Sequence, residues 1–269
     1  MIKKLYIVIF SFIFLALLML VGNCLYIESI ESNQEKIYQA LKDNNHSAIL
    51  ALLKEGLDLN IKPRKHTTPL IYACRHSNYD TIKLLLEHGA DVHNKGGVRY
   101  PLRQAIMRGD FKIVKLLLDY GADIHYRNRE GCEETYYIIN DTAFELAAIV
   151  GQIKILEYLY KNYKIPEEEF NNALVYSSRE NQGKIMLFLF NNHSFPSSII
   201  NKALDSCIFT NSENFDAVKI LIDRGANVNY IDNNKSMLDY AIHYKHFKII
   251  KLLKEHGAKT AKEILRTRQ

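Results

Sequence analysis

The chain has 269 residues, 48% of them hydrophobic, which is enough to form a folded core in one or two domains. Glycine and proline are sparse, with 12 and 5 residues, and this composition favours helices over strands. The formal net charge of +5 is too small and too evenly spread to indicate a nucleic-acid-binding protein.

An apolar segment opens the chain. Lys3 and Lys4 precede an apolar run over residues 5–22, whose 18 residues match what a helix needs to cross a bilayer. Acidic residues follow the run, so the positive-inside tendency places the N-terminus in the cytoplasm and the rest outside it. We therefore predict residues 1–27 as a signal or anchor segment. It would leave the protein membrane-anchored facing away from the cytoplasm, or exported to the periplasm or cell surface.

The sequence leaves the fate of this segment open. An uncleaved signal anchor fits the length, whereas a cleaved leader lacks an A-x-A-like site after the run. Residues 20–24 also resemble a loose bacterial lipobox, in which Cys24 would become the lipidated N-terminal residue, although Asn23 replaces the usual small residue. A buried core helix of a soluble protein is the remaining alternative, and the lack of a polar face disfavours it.

A pair of helices recurs seven times after this segment. Each copy has a large apolar residue three positions before an alanine, which places both on one helical face. The alanines are Ala40, Ala73, Ala105, Ala147, Ala173, Ala203 and Ala241. A second apolar block with i, i+3, i+4 spacing follows each alanine and indicates a second amphipathic helix. Glycine follows five of these second helices, at Gly56, Gly89, Gly121, Gly225 and Gly257.

The second copy carries a recognisable motif. Residues 68–74 read TPLIYAC and residues 82–91 read IKLLLEHGAD, and this stretch resembles an ankyrin repeat. Thr68 is suited to cap the helix and Pro69 to occupy its first turn. The resemblance implies an all-α solenoid of stacked helix–turn–helix units with β-turn fingers. We assign residues 33–260 to an ankyrin repeat domain of about seven repeats and residues 261–269 to a C-terminal tail.

The middle copies are irregular. Tyr163 and His193 occupy the glycine position, and we expect those helices to end through Asn162 or Asn192 in a left-handed conformation. Extra residues are expected between the two helices of the fifth and sixth copies, around residues 178–182 and 208–214. The finger over residues 126–141 is about ten residues longer than its neighbours and is either a tolerated insertion or part of a binding face.

No catalytic motif is present. The sequence has no G-x-S-x-G, P-loop, G-x-G-x-x-G or H-E-x-x-H, and its four cysteines show no metal-ligand spacing. We interpret Cys74 and Cys207 as buried free thiols, and Cys132 as the one cysteine that could be reactive. His243 and His246 form an H-x-x-H without a third ligand and are expected to be exposed or turn-capping residues. The prediction is a protein that is not an enzyme and has neither a cofactor nor a metal.

The resemblance also implies where a partner binds. In ankyrin repeats the fingers and the ends of the first helices line a concave face. Seven residues of the second and third copies match variable positions of that face: Arg64, Lys65, Arg75, His76, Arg99, Met107 and Arg108. The corresponding positions of the fourth copy are apolar, at residues 138, 139, 149 and 150. This basic surface grading into an apolar one predicts a protein partner with an acidic or mixed acidic and apolar segment.

The function predicted from these features is a non-catalytic, monomeric scaffold for protein–protein interaction, tethered to a membrane or exported. An inhibitor or immunity-type protein that occludes an enzyme is one alternative, and a structural protein of the cell envelope is another. Nucleic acid is disfavoured as a partner, because the leader directs the repeats away from the cytoplasm and no aromatic stacking platform accompanies the arginines.

Overall fold

The computed structural model describes residues 35–60, 67–93, 100–127, 141–210 and 212–267. The chain divides into two compact units, Met1–Asn94 and Lys95–Gln269, which are taken separately below. The predicted signal or anchor segment, with Cys24, lies outside the described residues. So do Arg64, Lys65, Arg99 and Cys132.

The first unit contains two helix pairs. Its helices are α1 (residues 35–42), α2 (His46–Lys54), α3 (Pro69–His76) and α4 (Tyr79–Glu87). Leu70 and Ala73 are almost fully buried, as the apolar–alanine pattern requires. The Thr68 hydroxyl accepts a hydrogen bond from the backbone N–H of Ile71, and Pro69 occupies the first turn of α3. The predicted start of this helix is therefore confirmed.

The described residues of the second unit form further helix pairs and one short hairpin. Its elements are α5 (Pro101–Arg108), α6 (Phe111–Asp119), α7 (Ala143–Ile149), α8 (Ile153–Asn162), α9 (Glu167–Arg179), α10 (Gly183–Asn192), α11 (Ser197–Ile208), α12 (Phe215–Asp223), β1 (Ile231–Asp232), β2 (Lys235–Ser236), α13 (Met237–His243), α14 (Phe247–Glu255) and α15 (Ala261–Arg266). The first helix of each pair, from α5 to α13, packs on the first helix of the next pair. This is the predicted all-α repeat architecture, since no single helix pair can bury its own apolar face.

The hairpin is one of the predicted β-turn fingers. β1 and β2 pair antiparallel, with Ile231 opposite Ser236. The two residues of its turn, Asn233 and Asn234, both have positive φ angles, which asparagine tolerates better than most residues. The second strand of this finger ends at Ser236, whose side chain caps α13 in a capping box with Asp239.

The predicted endings of two helices are wrong. Neither Asn162 nor Asn192 has a positive φ, and the residues after them, Tyr163 and His193, are extended. Each asparagine side chain instead donates a hydrogen bond of 2.8 Å to the carbonyl four residues before it. A helical carbonyl is thus satisfied without a left-handed residue, and the chain runs straight into the proline that precedes the next helix.

Aromatic side chains pack against one another where these short loops join neighbouring repeats. The His193 ring stacks on Phe170 with ring centroids 4.5 Å apart, and it meets Phe195 edge-on at 4.8 Å. The Tyr160 ring also lies edge-on to the Phe170 ring, with ring centroids 5.9 Å apart. These side chains connect α8, α9 and the loop after α10. Aromatic rings packed in this way bury a large apolar area and so stabilise the contact between repeats.

The extra residues of the fifth and sixth repeats lengthen their first helices, and in the sixth repeat they also lengthen the turn that follows. α9 runs to Arg179 with 13 residues and α11 to Ile208 with 12, whereas α5 has 8. The C-terminal tail is also partly helical. In α15, Thr260 forms a capping box with Glu263, and the side chains of Ala261 and Ile264 are buried. α9 is the longest helix in the described residues, and none there is both long and apolar enough to cross a membrane.

Candidate functional site

Four of the seven predicted binding residues are described, two in each unit. Arg75 and His76 form the exposed last turn of α3, where the His76 ring lies 4.5 Å from that of Tyr72. Met107 and Arg108 form the exposed last turn of α5, and 53% of the Met107 surface is accessible. Both pairs thus lie at the end of a first helix, as the resemblance implied.

In the second unit, the ends of the successive first helices form a surface that we call the first-helix face. Its exposed or partly exposed side chains are Met107, Arg108, Ile149, Val150, Tyr176, Arg179, Asp205, Phe209, His243 and Tyr244. The face changes in character along the unit. It begins with a methionine and an arginine on α5 and ends with an acid and aromatic rings on α11 and α13.

A buried ion pair lies beneath the start of the long finger. The Arg127 guanidinium donates two hydrogen bonds of 2.8 Å to the Glu145 carboxylate, which is fully buried at the N-terminus of α7. Glu145 also accepts hydrogen bonds from the Thr142 backbone and from the Asn172 side chain of α9. Burial lowers the pKa of Arg127, but the hydrogen bonds and charge of Glu145 outweigh it and raise the pKa overall. Bidentate geometry and full satisfaction of the carboxylate make this pair rigid.

A second set of polar contacts joins the same repeats. The Glu169 carboxylate of α9 is buried and accepts a hydrogen bond of 2.9 Å from the Thr142 hydroxyl. The His125 ring forms a 2.6 Å hydrogen bond with the same carboxylate. Arg103 of α5 forms an ion pair of 2.6 Å with Asp141, and both side chains are buried. The Glu169, Arg103 and Asp141 side chains are buried and paired within the protein, so we assign them a structural role.

Sequence reasoning missed this network. From the sequence, Glu169 is only an acid favoured by the positive end of a helix. One local signal was available, because Thr142 and Glu145 have the spacing of a capping box. The pairing of Arg127 with Glu145 has no comparable signature, since it joins a finger to a helix across 18 positions.

An aromatic–acidic cluster, which we define as Asp205, Phe209, Asp232, Tyr240 and Tyr244, ends the first-helix face. The Phe209 ring is 56% exposed and lies edge-on to the rings of Tyr240 and Tyr244, at centroid distances of 5.4 and 5.5 Å. One carboxylate oxygen of Asp205, Oδ1, is buried and has no hydrogen-bond partner. Burial and, to a lesser extent, the charge of Asp232 raise the pKa of Asp205 to about 6.

The histidines of the H-x-x-H segment have separate environments. His246 is buried, and its Nε2 atom forms a hydrogen bond of 2.9 Å with the Thr210 carbonyl of the preceding repeat. His243 is exposed at the end of α13. Within the described ranges, no group of three His, Cys, Asp or Glu side chains is placed to hold a metal ion. Cys74 and Cys207 are both buried, as predicted.

Comparison with known families and structures matches this chain to ankyrin repeats. One ankyrin repeat model matches residues 19–96, 37–128 and 204–263, and a second matches residues 102–160. In the solved structures, the human ASB11 ankyrin repeat domain has a TM-score of 0.60 and 20% identity, covering 81% of this chain and 96% of that one. At that identity the likeness shows the fold alone.

Two curated proteins are similar over shorter regions. A putative E3 ubiquitin-protein ligase of Arabidopsis thaliana, XBAT35, is 37% identical over 83 residues, which cover 29% of this chain and 18% of that protein. The putative ankyrin repeat protein L371 of Acanthamoeba polyphaga mimivirus is 30% identical over 135 residues, covering 49% of this chain and 16% of the relative. The matched region therefore spans less than a fifth of the length of either relative.

Proposed function

Because this chain belongs to the ankyrin repeat family, we propose that it is a non-catalytic scaffold that binds a protein partner through the ends of its first helices. The observation that carries this proposal is the exposed last turn of α5, where an accessible Met107 adjoins Arg108. An adaptable apolar side chain beside a cation is typical of protein interfaces. Ankyrin repeats generally mediate such interactions.

The partner that fits this surface has an acidic segment with apolar side chains. Each unit has basic groups of its own, with Arg75 and His76 on α3 of the first unit and Arg108 on α5 of the second. Arg64, Lys65 and Arg99 would extend the basic surface and remain predictions, because they lie outside the described residues. Exposed charges of this kind set the partner's identity and association rate more than they set affinity.

A charge reversal tests this proposal. Tagged chain carrying both Arg75→Glu and Arg108→Glu is purified from its source cells beside the wild type, and co-purifying proteins are quantified by mass spectrometry. We expect at least one stoichiometric protein to fall by about tenfold or more in the variant. The control is Lys219→Glu, an exposed lysine on the second helix α12. Equal recovery from wild type, charge-reversed and control proteins would refute the proposed surface.

We also propose that residues 1–27 attach the protein to a membrane or direct its export. The length of the apolar run and the lysines before it support this. Membrane fractionation followed by intact-mass measurement of the mature chain tests it. A retained anchor, a cleaved leader and a lipidated Cys24 each give a different mass. An unmodified full-length chain confined to the soluble fraction would overturn the proposal.

A further inference from the structure

The sixth and seventh repeats carry a feature that the basic surface does not use. The aromatic–acidic cluster lies on α11, on the hairpin and on α13, at the opposite end of the first-helix face from Arg108. Asp205 follows the apolar register residue Ile200 by five positions. That is the offset at which Met107 follows Leu102 in the third repeat. Asp205 therefore places a carboxylate at the first-helix position that Met107, the neighbour of Arg108, occupies in the third repeat.

Asp205 holds an unsatisfied acceptor in this cluster. Its Oδ1 atom is buried without a hydrogen bond, and no ion pair to Asp205 or Asp232 is found in the part of the chain that the structure describes. A buried acceptor without a donor is unfavourable and uncommon in native proteins. Asp205 as a whole is partly exposed, so a positively charged group of a partner at this carboxylate would neutralise it.

The rings beside Asp205 can accept a cation. The Lys235 ammonium group lies 5.5 Å from the centre of the Tyr240 ring, within the range of a cation–π interaction. Phe209 offers a second, largely exposed ring against Tyr240 and Tyr244. An exposed phenylalanine held by two other rings is fixed in place, so a partner loses little additional conformational entropy by packing on it.

We infer that the aromatic–acidic cluster binds a lysine or arginine side chain of a protein partner, with a neighbouring apolar side chain of the partner packed on Phe209. The inference rests on the proposed function and adds a second contact of opposite charge. Within the second unit, the first-helix face carries the cation of Arg108 at the end of α5 and the carboxylate of Asp205 on α11. It therefore fits a segment whose own charges are arranged in the reverse order, and this arrangement fixes the direction in which the segment lies.

A peptide library tests the inference even though the natural partner is unidentified. Random 12-residue peptides displayed on phage are selected on the immobilised full chain in dodecyl maltoside at pH 7.5. We expect the enriched peptides to contain Lys or Arg next to an apolar residue. The affinity of the best synthetic peptide should fall by roughly tenfold or more on Asp205→Asn and on Phe209→Ala. Asp223→Asn, an exposed aspartate on α12, is the matched control and should bind like the wild type.

Removing the charge from the peptide and from Asp205, singly and together, shows whether the two groups are in direct contact. The alternative is that Asp205 affects binding only through the overall charge of the surface. Replacing the peptide's cation with glutamine should weaken binding to the wild type but have little further effect on Asp205→Asn. Equal affinity for wild type and Asp205→Asn would overturn the inference, as would enrichment of peptides without cations. Acidic peptides without a cation that lose affinity on Arg108→Glu but not on Asp205→Asn would overturn it while leaving the proposed function intact. Failure to enrich any peptide on any variant would count against both.

Discussion

Asp205→Asn should stabilise the folded protein at neutral pH while it removes the acid of the aromatic–acidic cluster. The pKa of Asp205 is raised from 3.8 to about 6 because burial and the charge of Asp232 disfavour the carboxylate. The native state therefore holds this proton more tightly than the unfolded state does. The free energy of unfolding should therefore fall as pH rises from 3.8 to about 6, and it should stay lower at higher pH.

The magnitude follows from the two pKa values. A difference between 3.8 and about 6 corresponds to ~3 kcal/mol if the group were fully shielded from water. Asp205 is partly exposed, so solvent screening reduces this to about 1 kcal/mol. Asparagine has the same shape and cannot ionise. The variant should therefore gain about 1 kcal/mol at pH 7.5 and almost nothing near pH 4, where the native aspartate is protonated.

Urea unfolding of both proteins at pH 4.5 and pH 7.5 measures this difference through the shift in midpoint. Asp223→Asn, which removes an exposed charge from the same repeat, is the control and should change stability by a few tenths of a kcal/mol at most. A destabilised Asp205→Asn at pH 7.5 would refute the reasoning, and so would a gain of equal size at both pH values. Stabilisation combined with lost peptide binding would mark Asp205 as a residue that serves binding at the expense of folding.

Three further predictions concern the fold. Glu145→Ala should destabilise the protein by about 3 kcal/mol in urea unfolding because it leaves Arg127 without its buried partner, whereas Glu168→Ala, whose carboxylate is 79% exposed, should cost a few tenths at most. Lys245→Gly should raise the unfolding midpoint by the equivalent of about 1 kcal/mol, because Lys245 has a φ of 59° that glycine adopts without steric cost; an unchanged midpoint would contradict this. Burial raises the pKa of the Cys207 thiol, so iodoacetamide at pH 8 should label Cys207 in urea but not in the native protein. Peptide mass spectrometry locates the label, and rapid labelling of the native protein would contradict this prediction.

The regular part of the fold could be predicted because it is periodic. Residues such as Leu70 and Ala73 repeat at a fixed spacing, and the structure buries both. The proline and the threonine before them define a helix start by local chemistry alone. Where the period breaks, the prediction failed. The sequence shows that Tyr163 and His193 replace glycine, but the carbonyl contacts of Asn162 and Asn192 emerge only in three dimensions.

The places where the first helices end were predictable from the sequence, but the contacts that the side chains make there were not. The offsets that selected Met107 and Arg108 also select Asp205, yet nothing in the sequence indicates that its Oδ1 atom is buried without a partner. Phe209 joins the cluster because α11 has 12 residues rather than the 8 of α5, so that it reaches the rings of α13. Burial and contacts between repeats depend on how the helices stack, and the residue types alone do not define that stacking.

The polar network around Glu145 and Glu169 has a consequence for how the second unit unfolds. In a repeat array each unit contacts mainly its neighbours, so that the ends can unfold while the rest remains folded. Here three successive repeats share hydrogen bonds to the buried carboxylates of Glu145 and Glu169. The donors and partners are His125 and Arg127 from the first repeat, Thr142 from the second and Asn172 from the third. Unfolding any one of these three repeats would therefore remove hydrogen-bond partners from the buried carboxylates of Glu145 or Glu169. The helices α5 to α9 should therefore exchange their amide hydrogens as a single cooperative block, more slowly than the helices after α9.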